Sequence, residues 1–322
     1  MQHCFSVLNR AVRASLIGLV VVAVAASVVA SGMGRASDGG IRLMSFNIRM
    51  DTLADGVNAW PNRADRVVSV LVGRGGTPDD PALDIIGLQE VLDHQLEHIK
   101  AAVPGYGHVG VGRDDGRRRG EYSPILFRRD RLQVLDSGTF WLSETPEVPG
   151  STHWGNRVTR ICTWARFRER GGDRTLWVYN THFDHASERA RRCAAELVAA
   201  VMATRADAGS PAVLLGDFNA HPESRVVRYL TGGLNRARPG DDGGWAVRSR
   251  LVDAWAAAHG ESDSGGTWNG WAHPVRSGAR IDYIFVSADL EVLAAGVERD
   301  RGVSTDGRPP SDHYPVLAEV RW

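Results

Sequence analysis

The sequence predicts a single α+β domain in which packed β-sheets are flanked by helices. Short apolar runs typical of strands are interleaved with amphipathic segments of helical period, without the regular strand–helix alternation of a parallel α/β fold. No internal repeat is present, and no linker is long or polar enough to separate two domains within the 322 residues. We therefore assign residues 37–322 to one domain, and residues 1–36 to a signal peptide with a short linker.

The first segment has the organisation of a secretory signal peptide. Arg10 and Arg13 precede an apolar stretch over residues 16–30, which small residues follow. The stretch is short for a membrane span, and an uncleaved N-terminal anchor is the alternative. We expect export to the cell envelope or the medium, with cleavage after Ala30 or Ala36.

The remaining elements are predicted from periodicity and turn residues. Predicted strands are apolar or alternating runs bounded by Gly, Pro, Asp or Asn, and predicted helices carry apolar residues on one face. The strands are expected at 41–47, 83–90, 106–111, 122–128, 132–140, 158–167, 175–182, 212–215, 279–286, 290–295 and 314–322. The helices are expected at 60–72, 92–102, 187–206, 225–230 and 251–258, and a loose loop is expected at 231–244.

The charge composition does not favour tight, sequence-independent binding of nucleic acid. Lys and Arg together number 38, as do Asp and Glu, so the basic excess of such proteins is absent. A short basic run at 117–119 keeps nucleic acid among the candidate ligands. Cys162 and Cys193 are expected to be buried free thiols, with a disulfide as the alternative, and no Cys/His cluster has zinc spacing.

Polar side chains follow the ends of several predicted strands. Carboxylate and amide oxygens are ligands that Mg²⁺ prefers, and a histidine paired with a carboxylate can stabilise charge or move a proton. Such a set suits metal-assisted hydrolysis of a phosphoester, whereas an Asx turn that only closes a strand is the structural alternative for 217–219. The candidate residues are Asn47, Glu90, Glu121, His182, Asp217, Asn219, Asp282, Asp312 and His313.

Six motifs, at 44–47, 86–90, 180–182, 216–219, 280–284 and 311–315, span nearly all of the chain after residue 40. In this order they resemble the endonuclease/exonuclease/phosphatase superfamily, which includes deoxyribonuclease I-like enzymes. Strings at 60–63, 110–116, 138–143 and 181–185 resemble a bacterial branch of metal-dependent hydrolases near the nocturnin-like enzymes. The resemblance implies a four-layer α/β/β/α sandwich, with two mostly antiparallel sheets face to face, outer helices, and the site at one end.

The resemblance also implies how the residues divide between metal and phosphate. Glu90 would be the main ligand of Mg²⁺, with Mn²⁺ as the alternative, and Asn47 would hold metal or phosphate beside it. Asp312 would be a further carboxylate on the metal side. Asp217 would orient or deprotonate the attacking water, and Asn219 would hold a phosphate oxygen.

Two histidines have implied catalytic roles. His313, paired with Asp282, would stabilise the phosphorane or protonate the leaving group. His182 would be a second catalytic histidine with Glu121 as its partner, although a structural hydrogen-bond cluster is the alternative for His182. Arg160 would contact the phosphate, and an ordinary surface ion pair is the alternative for both Arg160 and Glu121.

The sequence thus predicts a secreted divalent-metal-dependent phosphoesterase, with a phosphodiesterase or nuclease favoured. A phospholipid or sugar-phosphate phosphodiesterase or phosphatase is the alternative, and a catalytically inactive binding module is the alternative from another class. The expected partner is a phosphoester: a nucleic acid, a nucleotide, or a phospholipid or sugar-phosphate head group. No obligate protein partner is implied, and we expect a monomer. Trp154, Trp268 and Trp271 are candidates for stacking a base or sugar, with packing as the ordinary alternative.

Overall fold

A computed structural model describes residues 40–72, 82–205, 210–232, 250–260, 265–275 and 278–322. The predicted signal peptide and linker, 1–36, and most of the predicted loop 231–244 lie outside the described residues. None of the helices within the described ranges combines the length and apolar character that crossing a membrane requires.

The described chain contains twelve strands and five α-helices. The strands are β1 Ile41–Asn47, β2 Ile85–Gln89, β3 Tyr106–Val109, β4 Ile125–Arg128, β5 Leu132–Trp141, β6 Ile161–Glu169, β7 Thr175–His182, β8 Ala212–Asp217, β9 Leu251–Asp253, β10 Asp282–Ser287, β11 Glu291–Val297 and β12 Val316–Arg321. The helices are α1 Ala64–Val72, α2 Asp93–Ala102, α3 Glu188–Arg205, α4 Arg225–Leu230 and α5 Ala254–His259. Short 3₁₀ helices occur at Leu53–Asn58 and Trp60–Asn62.

The strands form two six-stranded sheets of related design. The first sheet has the order β11-β12-β1-β2-β4-β3, and the second has the order β5-β6-β7-β8-β10-β9. Each sheet has one parallel pair near its centre, β1 with β2 and β7 with β8, and its other pairs are antiparallel. The predicted pair of mostly antiparallel sheets is confirmed.

Alternation along the strands produces the four layers. In β1, Leu43 belongs to the core between the sheets, whereas Met44 packs with α1 and α2 on the outer face. In β8, Val213 lies in the same inter-sheet core, whereas Leu214 packs with α3 and α4. Because successive side chains of a strand point to opposite faces, one apolar strand can serve two layers. The predicted α/β/β/α sandwich is therefore confirmed.

The predicted helix 251–258 is corrected by the structure. Its first three residues form β9, which pairs with β10, and the helix α5 begins only at Ala254. Asp253 ends the strand and caps the helix, because its Oδ1 accepts hydrogen bonds from the backbone N–H groups of Trp255 at 3.0 Å and Ala256 at 3.5 Å. The expected helix 60–72 likewise begins with a 3₁₀ turn, and α1 starts at Ala64.

Both cysteines in the described part of the chain are buried and free, as predicted. Cys162 lies on β6 and Cys193 on α3. Burial raises the pKa of the Cys162 thiol, which therefore stays protonated and acts as a small apolar side chain.

A buried amide ties the two sheets together below one end of the sandwich. Asn180, on β7, donates through Nδ2 to the carbonyl oxygens of Leu88 and Pro124, each at 2.8 Å. Its Oδ1 accepts a hydrogen bond from Nε2 of Gln89 at 2.7 Å. Gly87 makes this approach possible, since a Cβ there would lie 2.8 Å from the same Oδ1. The amide thus fixes the position of β7 relative to β2.

Replacing Asn180 with alanine should lower the free energy of unfolding by about 3 kcal/mol, because three buried hydrogen bonds are lost, and Pro124 and Gln89 keep only their longer contacts to Leu88, Ser45 and Gly87. The control is Ser45→Ala, which removes a single 3.3 Å contact to Gln89 and should cost less than about 1 kcal/mol. Urea denaturation measures both values. Equal losses in the two variants would contradict a special role for the Asn180 amide.

Candidate active site

The strand ends place the candidate residues at one end of the sandwich. Asn47, His182 and Asp217 are the last residues of β1, β7 and β8, and Glu90 directly follows β2. Asp282 opens β10, where it lies opposite Asp217 in the antiparallel register. Because β12 runs antiparallel to β1, the residues that precede β12, among them 312–313, arrive at the same end.

Asn47 joins the two halves of the site. Its Nδ2 donates to Oε1 of Glu90 and to Oδ2 of Asp217, each at 3.0 Å, so that one amide contacts carboxylates carried by different sheets. Its Oδ1 accepts a hydrogen bond from the backbone N–H of Arg49 at 3.0 Å. The orientation of Asn47 is therefore fixed on both sides.

Glu90 and Asp312 form an oxygen-rich group that suits a hard divalent cation. Burial alone would raise the pKa of Glu90, but the hydrogen bond from Asn47 and the charges of His313 and Arg49 lower it. Burial raises the pKa of Asp312, and the negative charge of Glu90 adds to this effect. Two half-buried carboxylates that repel each other, beside an amide oxygen, match the ligands of Mg²⁺ or Mn²⁺.

His313 and Asp282 form a buried pair, with Nδ1 of His313 2.8 Å from Oδ2 of Asp282. Burial alone would lower the pKa of His313, but the charge and hydrogen bond of Asp282 and the charge of Asp217 raise it well above its ordinary value. The imidazolium form is therefore favoured. Its Nε2 lies 3.9 Å from Oδ2 of Asp217, where it faces the centre of the site.

Asp217 lies between the metal side and the His313–Asp282 pair. Burial and the charge of Asp282 raise the pKa of Asp217 to about 7, although His313, a backbone hydrogen bond from Asn219 and the Asn47 side chain oppose the shift. A carboxylate with a pKa near neutrality suits a general base. Asp217, Asp282 and His313 also bring one ligand atom each within 4.8 Å of one another. Within this group only His313 and Asp282 are hydrogen-bonded to each other, whereas Oδ2 of Asp217 accepts from the Asn47 amide.

Asn219 takes part in the turn after β8 and also contacts His182. Its backbone N–H donates to Oδ1 of Asp217 at 2.9 Å, which closes an Asx turn after β8. Its Nδ2 lies 3.0 Å from Nε2 of His182 and donates to the carbonyl oxygen of Phe183 at 3.1 Å. Burial and the positive charges of Arg160 and Arg113 lower the pKa of His182 well below its ordinary value, so its ring is neutral.

The predicted partnership of His182 with Glu121 is not formed. Both oxygens of Glu121 instead accept hydrogen bonds from Arg113, at 2.6 and 2.7 Å. Nδ1 of His182 has no hydrogen-bond partner within the described ranges. Burial raises the pKa of Glu121, and the negative charge of Glu90 adds to this effect, whereas the charge of Arg113 opposes it. Arg113, which the sequence analysis did not single out, takes the place expected for His182.

Arg160 is positioned for contact with a phosphate. It is buried immediately before β6, with Nη2 3.0 Å from Nδ1 of His185 and Nε 3.9 Å from Asp184. Its Nε and Nη1 have no hydrogen-bond partner in the part of the chain that the structure describes. The Oδ1 of Asp184 accepts hydrogen bonds from the backbone N–H groups of residues 186 and 187, in the turn that leads into α3. A buried arginine with free donors matches a phosphoryl oxygen.

Arg63 supports the metal side, and sequence reasoning assigned it no role. Its buried guanidinium donates to the carbonyl oxygens of Ile48, of Arg49 at 2.6 Å and of Pro310 at 3.3 Å, and it stacks on Trp271 at 5.4 Å. These carbonyls belong to the segment that directly follows Asn47 and to the segment that directly precedes Asp312. The only signal in the sequence was the string at 60–63, noted as a mark of the branch.

Two of the site residues have left-handed backbone conformations. Glu90 has φ of 60° and Asn219 has φ of 47°, a region that non-glycine residues seldom adopt. Such strain persists where surrounding contacts determine the conformation, and it concentrates at functional sites. Here it turns each side chain out of its strand direction and into the group around Asp217.

Comparison with known proteins agrees with this geometry. The profile of the Endonuclease/Exonuclease/phosphatase family matches residues 44–313. The chain therefore belongs to that family, whose members are phosphoester hydrolases.

Solved structures of bacterial members resemble this one over most of its length. The mannosyl-6-phosphatase Bt3783 of Bacteroides thetaiotaomicron is 32% identical, with a TM-score of 0.74 over 88% of this chain and 100% of its own. An endonuclease/exonuclease/phosphatase of Bacteroides vulgatus is 33% identical, with a TM-score of 0.73 over 88% and 98%. The human Nocturnin catalytic domain, at 20% identity and a TM-score of 0.64 over 87% and 94%, shares the fold.

A curated relative, protein L388 of Acanthamoeba polyphaga mimivirus, is 29% identical over 170 residues. The match covers 51% of this chain and 60% of the length of that relative. Together with the solved structures, these matches confirm the predicted family and its bacterial branch near the nocturnin-like fold.

Asp282→Asn should lower the pKa of His313 towards its ordinary value, because the charge that opposes the burial effect is removed. In the unmodified protein, activity that depends on the imidazolium is present below the raised pKa of His313 and is lost as pH rises through it. In Asp282→Asn this loss of activity should therefore occur at a lower pH. A pH titration of the imidazole by NMR without metal measures the shift. Asp136→Asn, on the exposed part of β5, is the control and should leave the His313 pKa unchanged. An unaltered His313 titration in Asp282→Asn would contradict the pairing.

Proposed function

We propose that this protein is a divalent-metal-dependent hydrolase of phosphoesters and that its substrate is a sugar phosphate monoester. The observation that carries the reaction class is the position of Asp217. It is held by the Asn47 side chain and the Asn219 backbone, with the His313–Asp282 pair on one side and Glu90 on the other. A base, a proton donor and a metal-side carboxylate therefore converge on one point, as attack of water on phosphorus requires.

The mechanism follows from the atoms that face this point. Asp217 accepts a proton from the attacking water, as its raised pKa permits. As the new bond from the water oxygen to phosphorus forms, the P–O bond to the leaving alcohol breaks, and the His313 imidazolium gives its Nε2 proton to the leaving oxygen, while Asp282 holds the ring through the 2.8 Å contact to Nδ1. Glu90, Asp312 and the Asn47 amide oxygen would hold a divalent cation, which supplies Lewis-acid polarisation of a phosphoryl oxygen.

The remaining polar groups bind and orient the phosphate. The free Nε and Nη1 of Arg160 donate to its oxygens. Both N–H groups of the Asn219 Nδ2 already have acceptors, Nε2 of His182 at 3.0 Å and the carbonyl oxygen of Phe183 at 3.1 Å, so Asn219 would have to release one of them to hold a phosphate oxygen. The neutral His182 orients Asn219 and does not act as an acid, since its pKa is lowered by burial and by nearby arginines.

The choice of a sugar phosphate is supported by the relative named mannosyl-6-phosphatase, which this chain matches over all of that protein's length. A phosphodiester, favoured by the sequence analysis, is the second candidate. We also propose export through residues 1–36, which N-terminal sequencing of the mature protein would test.

Hydrolysis of mannose 6-phosphate by the purified protein should require Mg²⁺ or Mn²⁺ and should stop on addition of EDTA. The same preparation is assayed with bis-(p-nitrophenyl) phosphate, duplex DNA and single-stranded RNA, and released phosphate or product is measured. Faster cleavage of a diester than of the monoester would move the assignment to a phosphodiesterase. Activity that persists in EDTA would contradict metal dependence.

Asp217→Ala and His313→Ala should each lower kcat by a factor on the order of 10³, since each removes a proton-transfer group. Each variant also removes the partner of a buried group, Asp282 in one case and the Asn47 amide in the other, so the melting temperature should fall while the circular dichroism spectrum remains that of a folded protein. Glu291→Ala, in an exposed ion pair with Arg321 on the far edge strand β11, is the matched control. Full activity in either site variant would refute the assigned roles.

A further inference from the structure

Trp268 differs from the other two tryptophans that the sequence analysis singled out. Its side chain is 47% exposed, whereas Trp154 is only 5% exposed. Trp271 stacks on the guanidinium of Arg63. An exposed indole can contact a ligand when it lies beside the site, so its position relative to His313 matters.

The backbone places the indole beside the catalytic histidine. Trp268 and His313 form an isolated antiparallel bridge. The flanking hydrogen bonds run from the N–H of Asn269 to the carbonyl oxygen of Asp312 at 2.8 Å, and from the N–H of Tyr314 to that of Thr267 at 2.7 Å. This pattern defines a non-hydrogen-bonded pair, in which the two Cα atoms are about 4.5 Å apart and both side chains point to the same face. The indole therefore stands on the face from which His313 reaches towards Asp217.

Two glycines hold the tryptophan in place. Gly270 has φ of 57°, and a Cβ there would lie 3.1 Å from Cζ2 of the indole. Gly278 packs against the backbone, where a Cβ would lie 2.3 Å from the carbonyl oxygen of Trp268. The ring is thus supported closely by main chain on one side, while almost half of its surface faces solvent.

We propose that the exposed face of Trp268 is the platform for the sugar ring of a hexose 6-phosphate, an inference that rests on the proposed function. The C–H groups on one face of a pyranose are apolar and weakly positive, and they match the negative face of an indole. In a hexose 6-phosphate the ring is one methylene and one oxygen from phosphorus, so it lies near the groups that bind the phosphoryl oxygens. In a 5′-nucleotide the ribose occupies this distance and the base lies beyond it. Because Trp268 lies next to His313, the group that stacks on it should be the ring closest to the phosphate. This favours a sugar ring over a nucleotide base.

The test compares substrates that share a primary phosphate but differ in the attached group: mannose 6-phosphate, glycerol 3-phosphate and adenosine 5′-monophosphate. In Trp268→Ala, the KM for mannose 6-phosphate should rise about tenfold more than the KM for glycerol 3-phosphate, since only the sugar loses a stacking surface. Trp268→Phe should recover most of the difference, because it keeps an aromatic face. Trp322→Ala, at the opposite end of β12, should leave the ratio of the two KM values unchanged.

Other results would overturn the proposal in distinguishable ways. Equal changes for mannose 6-phosphate and glycerol 3-phosphate would show that Trp268 only supports the His313 loop. A selective loss for the nucleotide would show that the platform holds a base. Hydrolysis of other phosphoesters by the unmodified protein without hydrolysis of mannose 6-phosphate would refute the sugar subsite and leave the phosphoester hydrolase standing. Inactivity on every ester with Mg²⁺ or Mn²⁺ would refute the proposed function itself.

Discussion

The amide of Asn180 fixes how the two sheets meet, and the site depends on that relation. Catalytic groups come from both sheets, and the contact between Asn47 and Asp217, at 3.0 Å, crosses from one to the other. A slip of one residue along a strand displaces its side chains by about 3.3 Å and turns them to the opposite face. An apolar core between the sheets tolerates small shifts of one sheet relative to the other. The buried Asn180 amide permits only one relative position, because its N–H groups and its oxygen all have hydrogen-bond partners.

The site has two parts: the carboxylates of Glu90 and Asp312, and the hydrogen-bonded pair of His313 and Asp282. Glu90 and Asp312 repel each other in the first part, and the His313–Asp282 pair neutralises charge in the second. Asp217 belongs to both, since Asn47 connects it to Glu90 while His313 faces it. Binding of a cation and ionisation of Asp217 are therefore coupled through one amide rather than being independent events.

Sequence reasoning succeeded where the pattern is local. The apolar runs that end in Asn47, Glu90 and Asp217 correctly predicted three strands and the polar side chains at their ends. Strand period and turn residues can be predicted in this way because they depend on residues that are close in the sequence. Sequence reasoning failed for the partner of Glu121, which is Arg113, because that choice depends on how the loop at 112–120 folds back, as in the hydrogen bond from the N–H of Gly112 to the carbonyl oxygen of Arg117. Strand β9 was missed for a similar reason, since three residues become a strand only through pairing with β10.

The left-handed backbone at Glu90 and Asn219 has a consequence for selection on this protein. Glycine adopts that conformation without strain, so backbone preference alone favours glycine at either position by about 1 kcal/mol. The side chains present make contacts that glycine would lose, because Glu90 accepts from the Asn47 amide and the Met50 N–H and Asn219 contacts His182 and Phe183. The residue types at these two positions are therefore determined by the site and against the preference of the main chain.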